Sequence, residues 1–201
     1  MGPMTTLLLK TSLFGDAGQS SQLASELAAQ RGGRLIVRDL AKDPVPHLSA
    51  ERFQAFLAGP GTRTPEQQLV VDYSDRLIGE LKAADIIVIG LPMYNFALPS
   101  TLKAYFDHIA RAGVTFKYTD KGPVGLLTGK KTYVVVVRGG QYGPEHSHAE
   151  YVRDFLAFLG LADVEFVFAE GLSISPQSKE AALARARAHI ARLNEREPAV
   201  I

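Results

Sequence analysis

Short apolar runs recur along this chain and are separated by longer segments in which apolar residues follow a helical spacing. Five runs are rich in leucine or β-branched residues and have the length of strands, namely 5–10, 35–37, 85–90, 132–137 and 164–168. Apolar side chains between them recur three or four residues apart, as at Leu69, Tyr73, Leu77 and Leu81. Two further helices are predicted near 150–159 and 177–195. Continuous apolar strands that alternate with amphipathic helices predict a parallel sheet with helices on both faces.

This alternation predicts one α/β domain over residues 1–201. A chain of 201 residues with 46% hydrophobic content can build one sizeable core and leaves little room for a second. Residues 1–3 belong to no later pattern, so we expect them to be an alternative start or extra residues ahead of the domain. In open parallel sheets, ligands bind beyond the carboxyl ends of the strands at the topological switch point. We therefore expect the loops after the first, third and fourth strands to line one site.

Two segments fall outside the alternation. The segment 42–65 contains four prolines and a short amphipathic piece at 51–57, which predicts a long surface excursion near the mouth of the site. The segment 115–129 has turn residues at 120–123, which predicts a hairpin or an extended loop before the fourth strand.

Composition narrows the classes of partner. The chain has no cysteine, so disulfides, Cys-based metal sites and Cys nucleophiles are excluded, which fits a reducing compartment. No amino-terminal signal segment and no apolar window of about 18 residues occurs, so we expect a cytoplasmic protein that is neither exported nor membrane-spanning. The formal charge of +1 gives no strong field for nucleic acid or an anionic membrane, and neither is an expected partner.

The loop after the first strand, "TSLFGDAGQSS", carries hydroxyls and two glycines and leads into a helix. Free backbone N–H groups, hydroxyl donors and the positive end of a helix dipole together favour a phosphate monoester. The alternative is an ordinary helix start in which Ser20 or Ser21 caps the first turn. The loop matches neither G-x-x-x-x-G-K-S/T nor G-x-G-x-x-G, which lowers the support for nucleoside triphosphate and Rossmann dinucleotide sites.

The loop after the third strand lies in "GLPMYNFALPS", residues 90–100, where prolines stiffen both ends. Asn95 offers a donor and acceptors to the edge of a heterocycle, and Tyr94 and Phe96 offer flat apolar surface. The alternative is a proline-rich turn whose aromatic rings pack on the core or on a partner subunit. The position at a strand's carboxyl end favours a ligand wall.

After the fourth strand, "VRGGQYG" brings two glycines together at 139–140. Their N–H groups, aided by Arg138, can stabilise negative charge on a ring that accepts hydride, or the glycines can simply form a turn. His146 and His148 follow in "PEHSHAEY", but no third ligand is suitably spaced. We therefore predict no metal and two solvated loop histidines. No G-x-S-x-G motif supports a hydrolase triad.

These three loops, in this order, resemble those of the flavodoxin-like NAD(P)H:quinone oxidoreductases, and specifically the bacterial FMN-dependent NADH azoreductases. The segment "LPMYNFALPSTLKAYFDHIARAGVTFKYTDKGPVGLLTGKK" is similar to the family's central block, "VRGG" to its next loop and "VEFVFAEG" to its last strand. The resemblance covers nearly the whole chain. It implies a flavodoxin-like three-layer sandwich with a five-stranded parallel sheet, and a noncovalently bound FMN.

The resemblance also implies the residues that contact the FMN. They divide into a phosphate set, a ring set and a set on the pyrimidine side: Ser12, Gly18, Gln19 and Ser20; Met93, Tyr94, Asn95 and Phe96; Val137, Arg138, Gly139 and Gly140. Members of the family often have serine at positions 18 and 137, where this chain has glycine and valine. We expect these two lost hydroxyls to change the phosphate affinity without loss of the cofactor.

The implied activity is a ping-pong transfer of two electrons from NADH or NADPH to quinones, azo compounds and nitroaromatics. The flavin carries the chemistry, so no catalytic side chain is assigned, although Tyr142 or His146 can assist proton delivery. The family is homodimeric with its flavins at the subunit boundary. The resemblance therefore implies that four residues face the substrate, some across that boundary: Phe96, Tyr118, Tyr142 and Phe158. For Tyr118 and Phe158, plain interface or core packing is the alternative.

Other functions stay open from the sequence alone. A flavodoxin-type electron carrier shares the fold, but such carriers are usually strongly acidic, and a charge of +1 argues against one. A cofactor-free α/β protein that hydrolyses phosphoesters or binds partners is the third candidate. The choice between NADH and NADPH is also open, because Arg52 and Arg63 in the excursion can either contact a ribose phosphate or remain solvated.

Overall fold

Strands and helices alternate through residues 3–196, the part of the chain described by a computed structural model. The strands are β1 (Thr5–Lys10), β2 (Arg34–Asp39), β3 (Ile86–Pro92), β4 (Phe116–Thr119), β5 (Gly122–Gly125), β6 (Lys131–Val137) and β7 (Asp163–Ala169). The helices are α1 (Gln19–Ala29), α2 (Ala50–Leu57), α3 (Pro65–Ala83), α4 (Ser100–Ile109), α5 (Ser147–Leu159) and α6 (Pro176–Arg196). A single 3₁₀ turn, Gly15–Ala17, precedes α1 within the described residues.

Five strands form one parallel sheet in the order β2-β1-β3-β6-β7. The chain moves outward from β1 to β2 and then crosses back to β3 on the other side of β1, so the switch point lies between β1 and β3. Lys10 pairs with Gly90, and Pro92 pairs with Val137, so the carboxyl ends of β1, β3 and β6 meet at one edge. The predicted flavodoxin-like sheet and the predicted meeting of three loops are confirmed.

The core lies on both faces of this sheet because side chains alternate along each strand. Leu7, Leu9 and Ile87 pack with buried residues of α3, α4 and α5 on one face. Leu8 and Val88 pack with buried residues of α1 and α6 on the other. All seven residues of β3 are buried, which explains the unbroken apolar run at this point of the sequence. Among residues 3–196, no helix combines the length and apolarity that a bilayer crossing requires.

The two irregular segments have different structures. The segment 115–129 contains the antiparallel hairpin β4–β5, in which Thr119 pairs with Gly122, so the hairpin prediction is confirmed. The excursion 42–65 contains α2, which packs on α3 and, through Phe56, against His108 in the last turn of α4. The start of the segment lies beside the loop after β1, where Lys42 donates to Asp16 at 2.8 Å, as expected for an excursion near the mouth of the site.

The two arginines of the excursion differ in their surroundings. Arg63 donates from Nε to the carbonyl of Ala58 at 3.1 Å and from Nη1 to Gln68 at 3.4 Å, so its guanidinium is held within the excursion. Arg52 lies in the first turn of α2, and its main-chain N–H donates to the side chain of Ser49, which caps this helix. The guanidinium of Arg63 is therefore engaged within the protein, whereas the hydrogen bond of Arg52 involves only its main chain.

Candidate functional site

The helix that follows the loop after β1 begins without a side-chain cap. Its N-cap is Gly18, and no side chain accepts a hydrogen bond from the first turn, whereas Ser49 caps α2. The interpretation that Ser20 or Ser21 caps this helix is therefore wrong. The N–H groups of Gln19 and the two serines find no acceptor within residues 3–196. Unpaired N–H groups at the positive end of a helix dipole form an anion site.

Close packing between the loop and the helix start accounts for the glycine at position 18. A Cβ added to Gly18 would overlap the buried side chain of Ser12, so a larger residue at position 18 requires Ser12 to move. Ser12 Oγ accepts the Phe14 N–H at 3.2 Å and lies 3.2 Å from the hydroxyl of Tyr94, which in turn accepts the Leu13 N–H at 3.2 Å. The loops after β1 and β3 are thus joined through the Tyr94 hydroxyl.

The lysines near this loop are neutralised. Exposed Asp16 accepts hydrogen bonds from Lys10 at 2.6 Å and from Lys42 at 2.8 Å. These two hydrogen bonds, Lys10 first, lower the pKa of Asp16 to about 2, so the carboxylate stays charged near neutral pH. Attraction for an anion at this end of the sheet therefore comes mainly from the helix terminus and its N–H groups.

The loop after β3 folds back on itself in a strained two-residue turn. Tyr94 and Ala97 exchange backbone hydrogen bonds of 2.9 and 3.0 Å, and Asn95 and Phe96 between them have φ of 50° and 66°. Left-handed backbone suits asparagine, but for phenylalanine it costs about 1–2 kcal/mol. Phe96 nevertheless leaves 66% of its surface exposed. A strained backbone that holds an aromatic ring exposed beside Asn95 is typical of a functional turn. The main-chain N–H of Met93 anchors this turn by donating to the carbonyl of Val137 at 2.9 Å.

Arg138, the first residue after β6, turns its side chain into the protein. Its Nη1 donates to the Glu170 carboxylate at 2.9 Å and to the Gly143 carbonyl at 2.6 Å, and its Nε donates to His148 Nδ1 at 3.3 Å. The side chain is fully buried. Two of the three guanidinium nitrogens are directed at these groups, and the third, Nη2, is buried and has no hydrogen-bond partner within the described residues. The aid of Arg138 to a charged ring stays a prediction.

His148 is buried rather than solvated, which corrects the sequence prediction. An arginine N–H can only donate, so Nδ1 of His148 accepts from Arg138, and Nε2, 3.2 Å from the Pro92 carbonyl, carries the proton. Burial, followed by repulsion from Arg138, lowers the pKa of His148 to about 4, so the ring is neutral at pH 7. His146 caps α5 by accepting the His148 N–H at 3.2 Å. Within the described residues, no three His, Asp or Glu side chains group as a metal site.

The glycines of the turn after β6 pack against the segment after β7. The carbonyls of Gly139 and Gly140 accept the N–H groups of Ser173 and Gly171, both at 2.9 Å. A Cβ on Gly139 would come within 2.7 Å of Ser173 Oγ, and one on Gly140 within 2.9 Å of the Tyr142 ring. The sequence analysis did not assign the segment 170–173 to the site. Its place at the carboxyl end of the strand next to β6 is the signal that could have identified it.

Of the four predicted substrate residues, the folded chain brings two together. The rings of Phe96 and Tyr142 meet edge to face with centroids 6.0 Å apart, so they connect the loops after β3 and β6. His146 also contacts Tyr142, with ring centroids 4.9 Å apart. Tyr118 and Phe158 instead share contacts with Phe116, at 5.4 and 4.4 Å between centroids. In this chain they form a second aromatic group on the hairpin and α5.

The donors and surfaces at this edge fit a flat ring that bears a terminal phosphate. The first turn of α1 offers unpaired N–H groups, and Ser20 Oγ makes no hydrogen bond within the described residues. The strained turn at Asn95 and Phe96 and the glycines at 139–140 lie at the ends of the neighbouring strands. The three loops therefore combine an anion site with two walls for a flat heterocycle, which is the arrangement that FMN requires.

Comparison with known proteins shows the family of this chain. A family model described as flavodoxin-like fold matches residues 4–193. An FMN-dependent NADH:quinone oxidoreductase of Cellvibrio japonicus is 54% identical over 190 residues, which cover 90% of this chain and 96% of the relative. A Burkholderia lata protein named FMN-dependent NADH:quinone oxidoreductase 6 is 50% identical, with 94% of this chain and 99% of the relative covered.

Solved structures show the same architecture. The crystal structure of an FMN-dependent NADH-azoreductase from Bacillus anthracis in complex with FMN superposes with a TM-score of 0.83 at 28% identity, covering 94% of this chain and 99% of that one. Another azoreductase structure from Bacillus anthracis gives a TM-score of 0.82 at 27% identity, with 96% and 99% covered. This chain therefore belongs to the flavodoxin-like family of FMN-dependent NADH:quinone oxidoreductases.

Proposed function

We propose that this chain is an FMN-dependent NADH:quinone oxidoreductase that also reduces aromatic azo compounds. The observation that carries the proposal is the uncapped start of α1, with Gly18 packed on Ser12, at the same sheet edge as the strained aromatic turn. The names of relatives at 54% and 50% identity support the same activity. When bound, FMN would supply the redox chemistry, namely acceptance of a hydride from NADH and, in a separate half-reaction, transfer of two electrons to the acceptor.

The protein's part in this chemistry is binding and orientation. The N–H groups at the start of α1, with the hydroxyls of Ser12 and Ser20, hold the phosphate, and Gln19 adds its N–H. Residues 93–96 form one wall of the ring site, and the main chain at 137–140 forms the other. Val137 takes part through its main chain, since its carbonyl accepts from Met93 and its side chain belongs to the core.

The acceptor side of the site is aromatic. Phe96 is 66% exposed and Tyr142 is 40% exposed, and their edge-to-face contact gives flat quinones, azo compounds and nitroaromatics a surface to stack on. We assign no covalent nucleophile. His146, in contact with the Tyr142 ring, is the titratable side chain beside this surface that can supply a proton to the reduced acceptor. NADH is the proposed donor, with NADPH as the alternative.

We further propose a homodimer of single-domain subunits, located in the cytoplasm. Tyr118 is 75% exposed at the hairpin, and Phe158 is partly buried beside it. A second copy packed on this group would cover its apolar surface and bring both rings toward the partner's site. The absence of cysteine fits a reducing compartment.

Two measurements test the function. Protein freed of flavin should quench the fluorescence of added FMN, and the reconstituted protein should bleach within a stopped-flow mixing experiment with NADH and regain its yellow colour on addition of a quinone. An electron carrier would stay oxidised with NADH alone. A protein that leaves FMN fluorescence unchanged would rule out both flavin functions and favour the cofactor-free alternative.

A further inference from the structure

The carboxylate of Glu170, the first residue after β7, collects three donors on one oxygen. Its Oε1 accepts from Arg138 Nη1 at 2.9 Å, from the Tyr142 N–H at 3.0 Å and from the Gly143 N–H at 3.1 Å. The side chain is only 20% exposed. Charge-assisted hydrogen bonds of this kind are stronger than neutral ones, so Glu170 fixes the end of the turn that follows β6.

Arg138 carries this restraint to two other loops. Its fully buried guanidinium bonds to Glu170 and to the Gly143 carbonyl, and its Nε reaches His148, whose Nε2 donates to the Pro92 carbonyl. The chain of contacts therefore links the carboxyl ends of β3, β6 and β7. Removal of one partner from a buried ion pair leaves the other charge uncompensated, so the arrangement resists change.

Main-chain hydrogen bonds to the segment after β7, which begins with Glu170, decide where the N–H groups at the start of the turn point. The carbonyls of Gly139 and Gly140 are turned toward the segment after β7, where Ser173 and Gly171 donate to them. Residues 3–196 contain no cis peptide bond, and in a trans peptide the following N–H points opposite to the carbonyl. The N–H groups of Gly140 and Gln141 therefore point away from β7, and neither meets an acceptor within the described residues.

We propose that Glu170 is a positioning residue that holds the turn 138–143, so that the N–H groups of Gly140 and Gln141 and the ring of Tyr142 are presented to the ring of the cofactor. The identity of that ligand rests on the proposed function. The restraint itself is a property of the protein alone, because every contact that creates it lies within the chain. It can therefore be measured with and without FMN.

Amide hydrogen exchange on flavin-free protein tests the restraint directly. Glu170→Ala should speed exchange of the Tyr142 and Gly143 amides, which donate to Glu170, about tenfold or more while β1 and α6 keep their wild-type rates. Glu170→Gln keeps one acceptor oxygen and should show a smaller increase. Glu165→Ala is the matched control, since Glu165 lies on β7, the strand that leads to Glu170, pairs with His189 at 3.5 Å and has no hydrogen bond to the turn within the described residues.

Binding and kinetics then test the link to the site. By fluorescence quenching, Glu170→Ala should bind FMN about tenfold more weakly than the wild type, and Glu165→Ala should match the wild type. Reconstituted at saturating FMN, Glu170→Ala should have a more negative flavin reduction potential, because two donors to the reduced ring are misplaced. Its KM for a quinone should rise more than its kcat falls, because Tyr142 borders the acceptor.

The outcomes separate the two claims. Wild-type exchange at 138–143 in Glu170→Ala, or an equal effect of Glu165→Ala, would overturn the positioning role. If Glu170→Ala does not fold, Glu170→Gln decides: unchanged exchange and an unchanged potential count against the proposal. If wild-type protein binds no FMN, the proposed function fails, whereas the exchange data still decide whether Glu170 holds the turn.

Discussion

The two sides of this site use polar groups in opposite ways. At the start of α1 the N–H groups find no acceptor in the part of the chain that the structure describes, and the nearby lysines pair with Asp16. At the turn after β6, the charged groups of Arg138 and Glu170 bond to each other and, with His148, to the main chain. On both sides the groups left available to a ligand include main-chain donors. The charged side chains act on the protein, which they hold in the shape that presents those donors.

The largest expected effect comes from a negative charge at the start of α1. Gln19→Glu preserves the shape of the side chain but places a carboxylate in the first turn of α1. Favourable interaction with the helix dipole should stabilise flavin-free protein by about 0.5 kcal/mol, whereas repulsion of the phosphate should weaken FMN binding about 10- to 100-fold. Urea unfolding and FMN fluorescence titration measure the two effects.

Gln67→Glu is the control for that substitution. It adds the same charge to the first turn of α3, where Thr64 already forms a capping box with Gln67. Stability should change little, and FMN affinity should equal that of the wild type. If both variants bind FMN equally well, the phosphate does not lie at the start of α1.

The second expected effect concerns His148, beside the turn after β6, and the pH dependence of the free energy of unfolding. The pKa of His148 falls from an ordinary value of 6.5 to about 4 in the folded protein, because burial and Arg138 disfavour its charged form. Between about pH 4 and pH 6.5, His148 therefore binds a proton in the unfolded chain but not in the folded chain. The stability that this group contributes is complete above pH 6.5 and is lost as the pH falls toward 4. Between pH 7 and 4.5 the loss should be about 2 kcal/mol.

His148→Gln removes this titration and keeps an amide that can donate to Pro92. Urea unfolding followed by circular dichroism at pH 7 and 4.5 should show a smaller pH dependence in the variant than in the wild type, with the common loss from carboxylates subtracted. The exposed His47 supplies a control, because His47→Gln should retain the wild-type difference. Equal pH dependence in wild type and His148→Gln would mean that folding does not lower the pKa of His148.

The fold could be predicted from the sequence because its signals are local. The seven buried residues of β3 form one apolar run, and the helices carry apolar residues at helical spacing. The three ligand-facing loops could also be placed, since parallel strands end at one edge. The structure adds the packing that decides which residues are available there, such as the contact of Gly18 with Ser12.

The direction of Arg138 could not be predicted in this way, because its partner Glu170 lies 32 residues away, after another strand. The burial of His148 did have a signal. His148, Val152 and Leu156 recur every four residues on the buried face of α5. Hydrophilic neighbours in "PEHSHAEY" concealed this pattern, so spacing is the better guide where a histidine lies near the start of a helix.

The third prediction concerns the strained turn between the two sides. Phe96→Gly removes left-handed phenylalanine backbone at φ 66° and should stabilise the protein by about 1 kcal/mol, because glycine adopts this conformation without steric cost. The exposed ring is lost, so the KM for a quinone should rise. Thermal unfolding and steady-state kinetics measure both. Asn95→Gly is the control and should stabilise less, since asparagine already tolerates φ of 50°. A destabilised Phe96→Gly protein would show that the ring's contact with Tyr142 outweighs the strain.

The smallest expected effect is loss of the hydroxyl that joins the loops after β1 and β3. Tyr94→Phe removes the acceptor of the Leu13 N–H and the partner of Ser12 Oγ, both at 3.2 Å. A hydrogen bond of this kind contributes about 0.5–1.5 kcal/mol, so FMN affinity should fall about three- to tenfold, as measured by fluorescence titration. Tyr73→Phe is the matched control: its buried hydroxyl has no partner within the described residues, so its removal should leave affinity and stability unchanged or slightly improved. Equal affinities in the two variants would mean that the loop after β1 keeps its shape without the Tyr94 hydroxyl.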